Sequence, residues 1–145
     1  MEFNIIFLDI DGVLCLNRKI SQDCLQHLKT IVDRTSARIV LSSSWKLFPK
    51  SRAQIESRFK DIGIEPLLGW TSSRGKTRVD EIYYWLKFFD NKTIEDDISI
   101  KKWIVIDDMD LLKLDKKRME NHFVLTEEEH GITDETVKEA IRLLS

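Results

Sequence analysis

Residues Asn4 to Leu14 read NIIFLDIDGVL. Four consecutive apolar residues, Ile5 to Leu8, run into Asp9 and Asp11 with one residue between them, and then into Gly12. A short apolar run of this kind is the pattern of a strand buried on both faces. Two acids at its end have no place in an apolar core, so they point to a strand that delivers carboxylates to a polar edge. Gly12 permits the sharp exit that the chain then needs.

Working outward, the same alternation recurs. Phe3–Asp9 is predicted as the first strand. Ser21 can cap a helix whose face carries Cys24, Leu25, Leu28, Ile31 and Val32. ARIVLSS, residues 37–43, reads as a second strand, and residues 51–62 as a helix stopped by Gly63. EPLLGW, residues 65–70, suggests a short strand, with Pro66 favouring an early or edge position. Residues 78–89 form an amphipathic pattern with Val79, Ile82, Trp85, Leu86 and Phe89 on one stripe. KKWIVIDD, from residue 101, is the next clear strand and HFVLT, from residue 122, a weaker one. Residues 133–144 close the pattern as a helix with Asp134 and Glu135 in its first turn. Strands alternating with helices predict an α/β fold: a three-layer, Rossmann-like sandwich with a mostly parallel central sheet. One domain over residues 1–145 fits the length.

Composition narrows the class. The chain is 42% hydrophobic and 33% charged, which suits an ordinary folded protein and excludes a disordered or fibrous one. A net charge of -2 exerts no overall pull towards nucleic acid or membrane. Two cysteines, Cys15 and Cys24, allow one bridge at most, and no apolar run reaches spanning length. The N-terminal residues lack a basic start and are interrupted by Asp9, unlike a signal peptide. A cytoplasmic location is expected, although secretion without an N-terminal signal leaves no such mark.

Open parallel sheets bind ligands at the carboxyl ends of their strands. There the sequence places Asp9 and Asp11, Ser42 and Ser43, and Asp107 and Asp108. Four carboxylates at one edge repel one another unless a cation joins them, and an all-oxygen set favours Mg²⁺. His27, His122 and His130 are scattered and offer no zinc alternative. With Mg²⁺ held by Asp9, Asp11, Asp107 and Asp108, Asp9 can attack phosphorus and form an aspartyl phosphate. Asp11, on the same side of the extended chain, can protonate the leaving oxygen and then activate water, while its backbone carbonyl helps bind metal. The Ser42 hydroxyl and a cation from Arg78 or Lys76 would hold the phosphoryl oxygens.

Together, DIDGVL, a strand ending in Ser42, a basic residue opening a helix, and IDD after a later strand resemble the four motifs of the haloacid dehalogenase (HAD) superfamily. SSSW at residues 42–45, RVDEIYYWL at 78–86, IDD at 106–108 and GIT at 131–133 are similar to the small HAD domain of Swiss-army-knife RNA-repair proteins. The resemblance implies a Mg²⁺-dependent phosphatase with Asp9 as nucleophile, Asp11 as acid and base, Ser42 on phosphate, and Asp107 and Asp108 on the metal, Asp107 the more directly. It implies Arg78 as the phosphate-binding cation by its spacing to EIYYWL, whereas the wider superfamily often uses lysine, which points to Lys76.

Only about ten residues separate Gly12 from Ser21, too few for a folded cap. An open site suits a large phosphorylated substrate, such as a nucleic-acid 3′-phosphate end or a phosphoprotein; small metabolites fit if a partner covers the site. Residues 46–78 carry eight basic and three acidic residues, a net +5. Lys46, Lys50, Arg52, Arg74 and Lys76 are therefore expected as a basic rim, with Ser43, Trp45 and Lys46 as candidate substrate contacts. Trp45 and Trp70 suit either packing or base stacking, and Trp85 and Trp103 suit the core. A receiver-type domain also gathers acids, a hydroxyl and a lysine around Mg²⁺, but with the adjacent acid pair first; here that pair comes last. A non-catalytic phosphoryl-binding module is the third reading.

Overall fold

A computed structural model describes residues 2–96 and 99–145, and the side chains among them other than those of residues 89–96. Five strands form one all-parallel sheet: β1 (Glu2–Leu8), β4 (Arg38–Leu41), β5 (Gly69–Trp70), β6 (Ser99–Asp107) and β7 (Phe123–Leu125), in the order β5-β4-β1-β6-β7. Two further strands, β2 (Cys15–Leu16) and β3 (Lys19–Ile20), pair as an antiparallel hairpin. The expected α/β class and parallel sheet are therefore what the chain forms.

The NIIFL run occupies the sheet centre because it is apolar on both faces. Ile6, Leu8 and Ile10 pack with Ile39, Leu41, Ile104 and Ile106 against α1 (Gln22–Thr35), α2 (Pro49–Ile62) and α6 (Asp134–Leu144). Ile5 and Phe7 point the other way, with Val40 and Val105, towards α3 (Arg78–Asp96), α4 (Leu111–Leu114) and α5 (Lys116–Met119). Three layers result. Phe7 meets Trp85 and Trp103 edge-on, with ring centroids 5.4 and 5.9 Å apart, so both tryptophans serve the core.

Helix boundaries follow local chemistry. Ser21 Oγ accepts from the Cys24 amide and opens α1, as its sequence suggests. Gly63, at φ 79°, ends α2 with its own amide on the Lys60 carbonyl and that of Ile64 on Phe59. The start of α2 is two residues earlier than expected, with Pro49 as first helical residue, where its missing N–H costs nothing. α3 runs past the predicted end; the Phe89 side chain lies outside the described residues. EPLLGW contributes only Gly69–Trp70, at the sheet edge.

The ten residues before Ser21 hold the β2–β3 hairpin, which the sequence reading missed. Asn17 and Arg18 take φ of 50° and 68°, the two left-handed residues of a tight hairpin turn. Cys15 and Cys24 are both buried thiols, without a disulfide. Among the described residues, no helix is long and apolar enough to cross a membrane.

Candidate active site

Strand register brings the site together. Leu8 pairs with Leu41 on one side and Ile106 on the other, so Asp9, Ser42 and Asp107 emerge at one level. Backbone bonds continue that level: the Asp9 amide donates to Ile106 O at 3.0 Å and the Ser42 amide to Leu8 O at 2.8 Å.

Asp9, Asp107 and Asp108 each place a carboxylate oxygen within 4.8 Å of the others. Asp107 is fully buried and Asp9 nearly so. Burial, reinforced by the Asp107 charge and opposed by Arg78, pushes the Asp9 carboxyl up to about 8. Burial also raises Asp107, against the pull of Arg78. Asp107 is held at both oxygens: Oδ1 accepts from the Met109 amide at 2.9 Å and Oδ2 from Arg78 Nη1 at 2.8 Å. The same Nη1 lies 3.5 Å from Asp9 Oδ2. One guanidinium thus sits over both buried acids but does not offset the cost of ionising them all. The oxygen-only donor set, short of positive charge, fits a hard divalent cation.

Gly12 makes this crowding possible. Its φ is 76°, and a Cβ there would meet Asp108 Oδ2 at 2.3 Å. The loop beyond it is pinned from below: Thr126 Oγ1 donates to Gly12 O at 2.8 Å, and the Ile132 amide donates to Val13 O at 3.1 Å. Gly131 lies so close that a Cβ would meet Val13 O at 2.4 Å, which accounts for the glycine of GIT.

Asp11 stands apart. Its side chain is exposed and contributes no oxygen to the three-acid cluster; Oδ2 accepts from the indole Nε1 of Trp45 at 3.2 Å. Trp45, weighed between packing and substrate contact, is therefore a partner of Asp11. Ser42 is 1% exposed, and its hydroxyl has no hydrogen-bond partner, a cost that an incoming acceptor would relieve. Ser43 is also buried, but its hydroxyl caps the 3₁₀ turn Ser44–Leu47 by accepting from the Trp45 amide, so it is committed to structure.

The two candidate cations separate cleanly. Arg78 opens α3 and reaches Asp9 and Asp107. Lys76 is exposed, and what ties it down is its amide, which donates to Asp80 Oδ2 at 3.0 Å. Asp80 also accepts from the Thr77 amide and, on its other oxygen, from Arg118 at 2.9 Å, which fixes the turn that presents Arg78.

The rim expectation needs correction at Lys46. It is 7% exposed, with its ammonium on Glu81 Oε1 at 3.2 Å, Thr71 Oγ1 at 3.0 Å and Ser72 O at 3.2 Å. A buried charge must be paired, and this one cross-links the turn after Ser42 to the first turn of α3 rather than facing a substrate. Arg52 and Arg74 lie over the rings of Trp70 and Tyr84. His122 stacks on Trp103, and no histidine joins the acid cluster.

Comparison with protein families matches residues 5–137 to the family described as HAD domain in Swiss Army Knife RNA repair proteins. Neither the curated proteins nor the solved structures compared with the chain give a match. The family match runs from the first strand into the last helix and takes in the whole strand-end site, and the chain belongs to this family of HAD domains.

Proposed function

We propose that this HAD domain is a Mg²⁺-dependent phosphomonoesterase that works through an aspartyl-phosphate intermediate on Asp9 and acts on a nucleic-acid 3′-phosphate end. The observation that carries the chemistry is the shared Arg78 contact to Asp9 and Asp107 beside the unpartnered Ser42 hydroxyl.

Asp9, Asp107 and Asp108 would hold the cation, with the Asp11 carbonyl as a further oxygen. Mg²⁺ bound there neutralises charge on the phosphoryl oxygens and favours the ionised form of Asp9. The substrate phosphoryl group is oriented by Ser42 Oγ and Arg78. Asp9 attacks phosphorus as the bond to the leaving oxygen breaks, and Asp11 gives that oxygen its proton. Asp11, now a carboxylate, takes a proton from water as the water attacks the aspartyl phosphate. Inorganic phosphate leaves and Asp9 is regenerated. The exposure of Asp11 suits this exchange, because its proton must move between leaving group and solvent.

The substrate class rests on the family description, which concerns RNA repair, and on the short segment between Gly12 and Ser21, which holds only a two-stranded hairpin. A turnover screen of 3′-phosphorylated oligonucleotides, phosphotyrosine peptides and small phosphorylated metabolites tests it. Highest kcat/KM for the oligonucleotides is the expected result; preference for peptides or metabolites at equal Mg²⁺ would overturn the substrate assignment.

A further inference from the structure

Beside the edge strand β5 lies a groove of about 440 Å³ lined by Leu68, Gly69, Trp70, Tyr84, Trp85 and Phe88. Its aromatic rim is open: Trp70 is 46% exposed and Phe88 44%. Tyr84 and Phe88 sit side by side with centroids 4.4 Å apart. Two guanidiniums lie over these rings, Arg52 at 4.2 Å from the Trp70 centroid and Arg74 at 5.4 Å from that of Tyr84, whose hydroxyl accepts from Arg74 Nη1 at 2.6 Å. Among the described residues, Glu81 is paired with Lys46 and Asp80 with Arg118. The groove is thus apolar, aromatic and positively charged at once.

We propose that this groove is a stacking platform for unpaired bases of a single-stranded nucleic acid whose phosphorylated end occupies the Asp9 site, an inference that rests on the phosphatase reading for that end. Rings supply faces for bases of any sequence, and the arginines meet the backbone phosphates. The placement suits one strand of nucleic acid. Trp70 pairs with Leu41 and Leu41 with Leu8, so Trp70 lies at the level of the site, two strand spacings or roughly 10 Å away, and the groove leads from there along α3 past Tyr84 to Phe88. A peptide is the poorer occupant, because β5 has two ladder residues and offers too short an edge for strand addition.

Fluorescence anisotropy of the full chain with Mg²⁺, titrated into labelled single-stranded octanucleotides with and without a 3′-phosphate, tests the platform. The wild type should bind both, more weakly as salt rises. Trp70→Ala and Tyr84→Ala should each weaken binding about tenfold, whereas Tyr84→Phe, which keeps the ring, should stay within twofold. Arg74→Gln, which leaves every ring in place, should lower the salt dependence by about one phosphate contact. No oligonucleotide binding by the wild type, tighter binding of a phosphotyrosine peptide, or alanine variants that are folded by circular dichroism and bind like the wild type would each overturn the proposal. Platform-dependent binding without release of the 3′-phosphate would instead sustain the platform and refute the substrate reading.

Discussion

The indole N–H of Trp45 donates to Asp11 Oδ2 across 3.2 Å, joining the turn after Ser42 to the loop after Asp9. The bond holds a carboxylate that is otherwise exposed and that, in the proposed mechanism, meets the leaving oxygen. Trp45→Phe keeps the ring but removes the donor. An exposed hydrogen bond contributes about 1 kcal/mol, so kcat for an aryl phosphate should fall roughly fivefold. KM should change little; a raised KM with unaltered kcat would make Trp45 a binding residue instead.

Ser42 should divide stability from activity. Its buried hydroxyl has no partner, so Ser42→Ala removes an unsatisfied group and should leave the melting temperature unchanged or slightly higher. The same change should lower kcat/KM for phosphate esters by roughly 10²-fold, the scale of a lost oxyanion donor. Parallel thermal melts and initial rates check both halves.

Lys46 makes the opposite pattern. Its ion pair with Glu81 is largely out of water, at 7% and 18% exposure. Lys46→Met leaves Glu81 without its charge partner and should cost about 3 kcal/mol by chemical denaturation. Lys46→Met combined with Glu81→Met should recover part of that loss. Additive losses would show that the two residues act independently.

Metal-free stability should depend on pH through Asp9. Its folded value, about 8, lies above the ordinary 3.8, so the folded protein binds the extra proton across that interval. Stability from this group is complete below about pH 4 and is lost as pH rises towards 8. In EDTA the melting temperature should therefore fall over that window, and Mg²⁺ should restore it at pH 8. Asp9→Asn, which cannot ionise, should melt higher than the wild type in EDTA at pH 8, by roughly 3–8 °C for about 1–2 kcal/mol.

What the sequence makes legible tracks the range of the interaction. Ile5–Leu8 and Trp103–Asp107 announce buried strands because apolar runs can be read locally, and the strand-end rule then collects Asp9, Ser42 and Asp107 without any tertiary information. Gly63, Ser21 and Thr133 are local stop and start signals and fall where they act. The β2–β3 turn is hidden because Asn17–Arg18 lacks the glycine that usually marks such a turn. α4 and α5, four residues each, are too short for periodicity, though Asp110 and Asp115 cap them and were available as signals. Lys46 misleads most. Lysine after a strand end ordinarily faces solvent, and its partner Glu81 lies 35 positions away, so its burial is a property of the fold alone. Trp45 is hidden for the same reason, with Asp11 34 positions distant. Arg78 differs from Lys76 because Asp80 and Arg118 lock the turn before α3, a network no single motif displays.

Asp9 as nucleophile is the step on which the proposed mechanism depends. The most direct measurement is the Mg²⁺-dependent release of phosphate from an aryl phosphate by the wild type and by Asp9→Asn, with folding of both verified by thermal melts. The expected result is turnover by the wild type that EDTA abolishes, and at least a 10³-fold lower kcat for the variant, about 4 kcal/mol of lost transition-state stabilisation. Wild-type turnover retained in Asp9→Asn would contradict it.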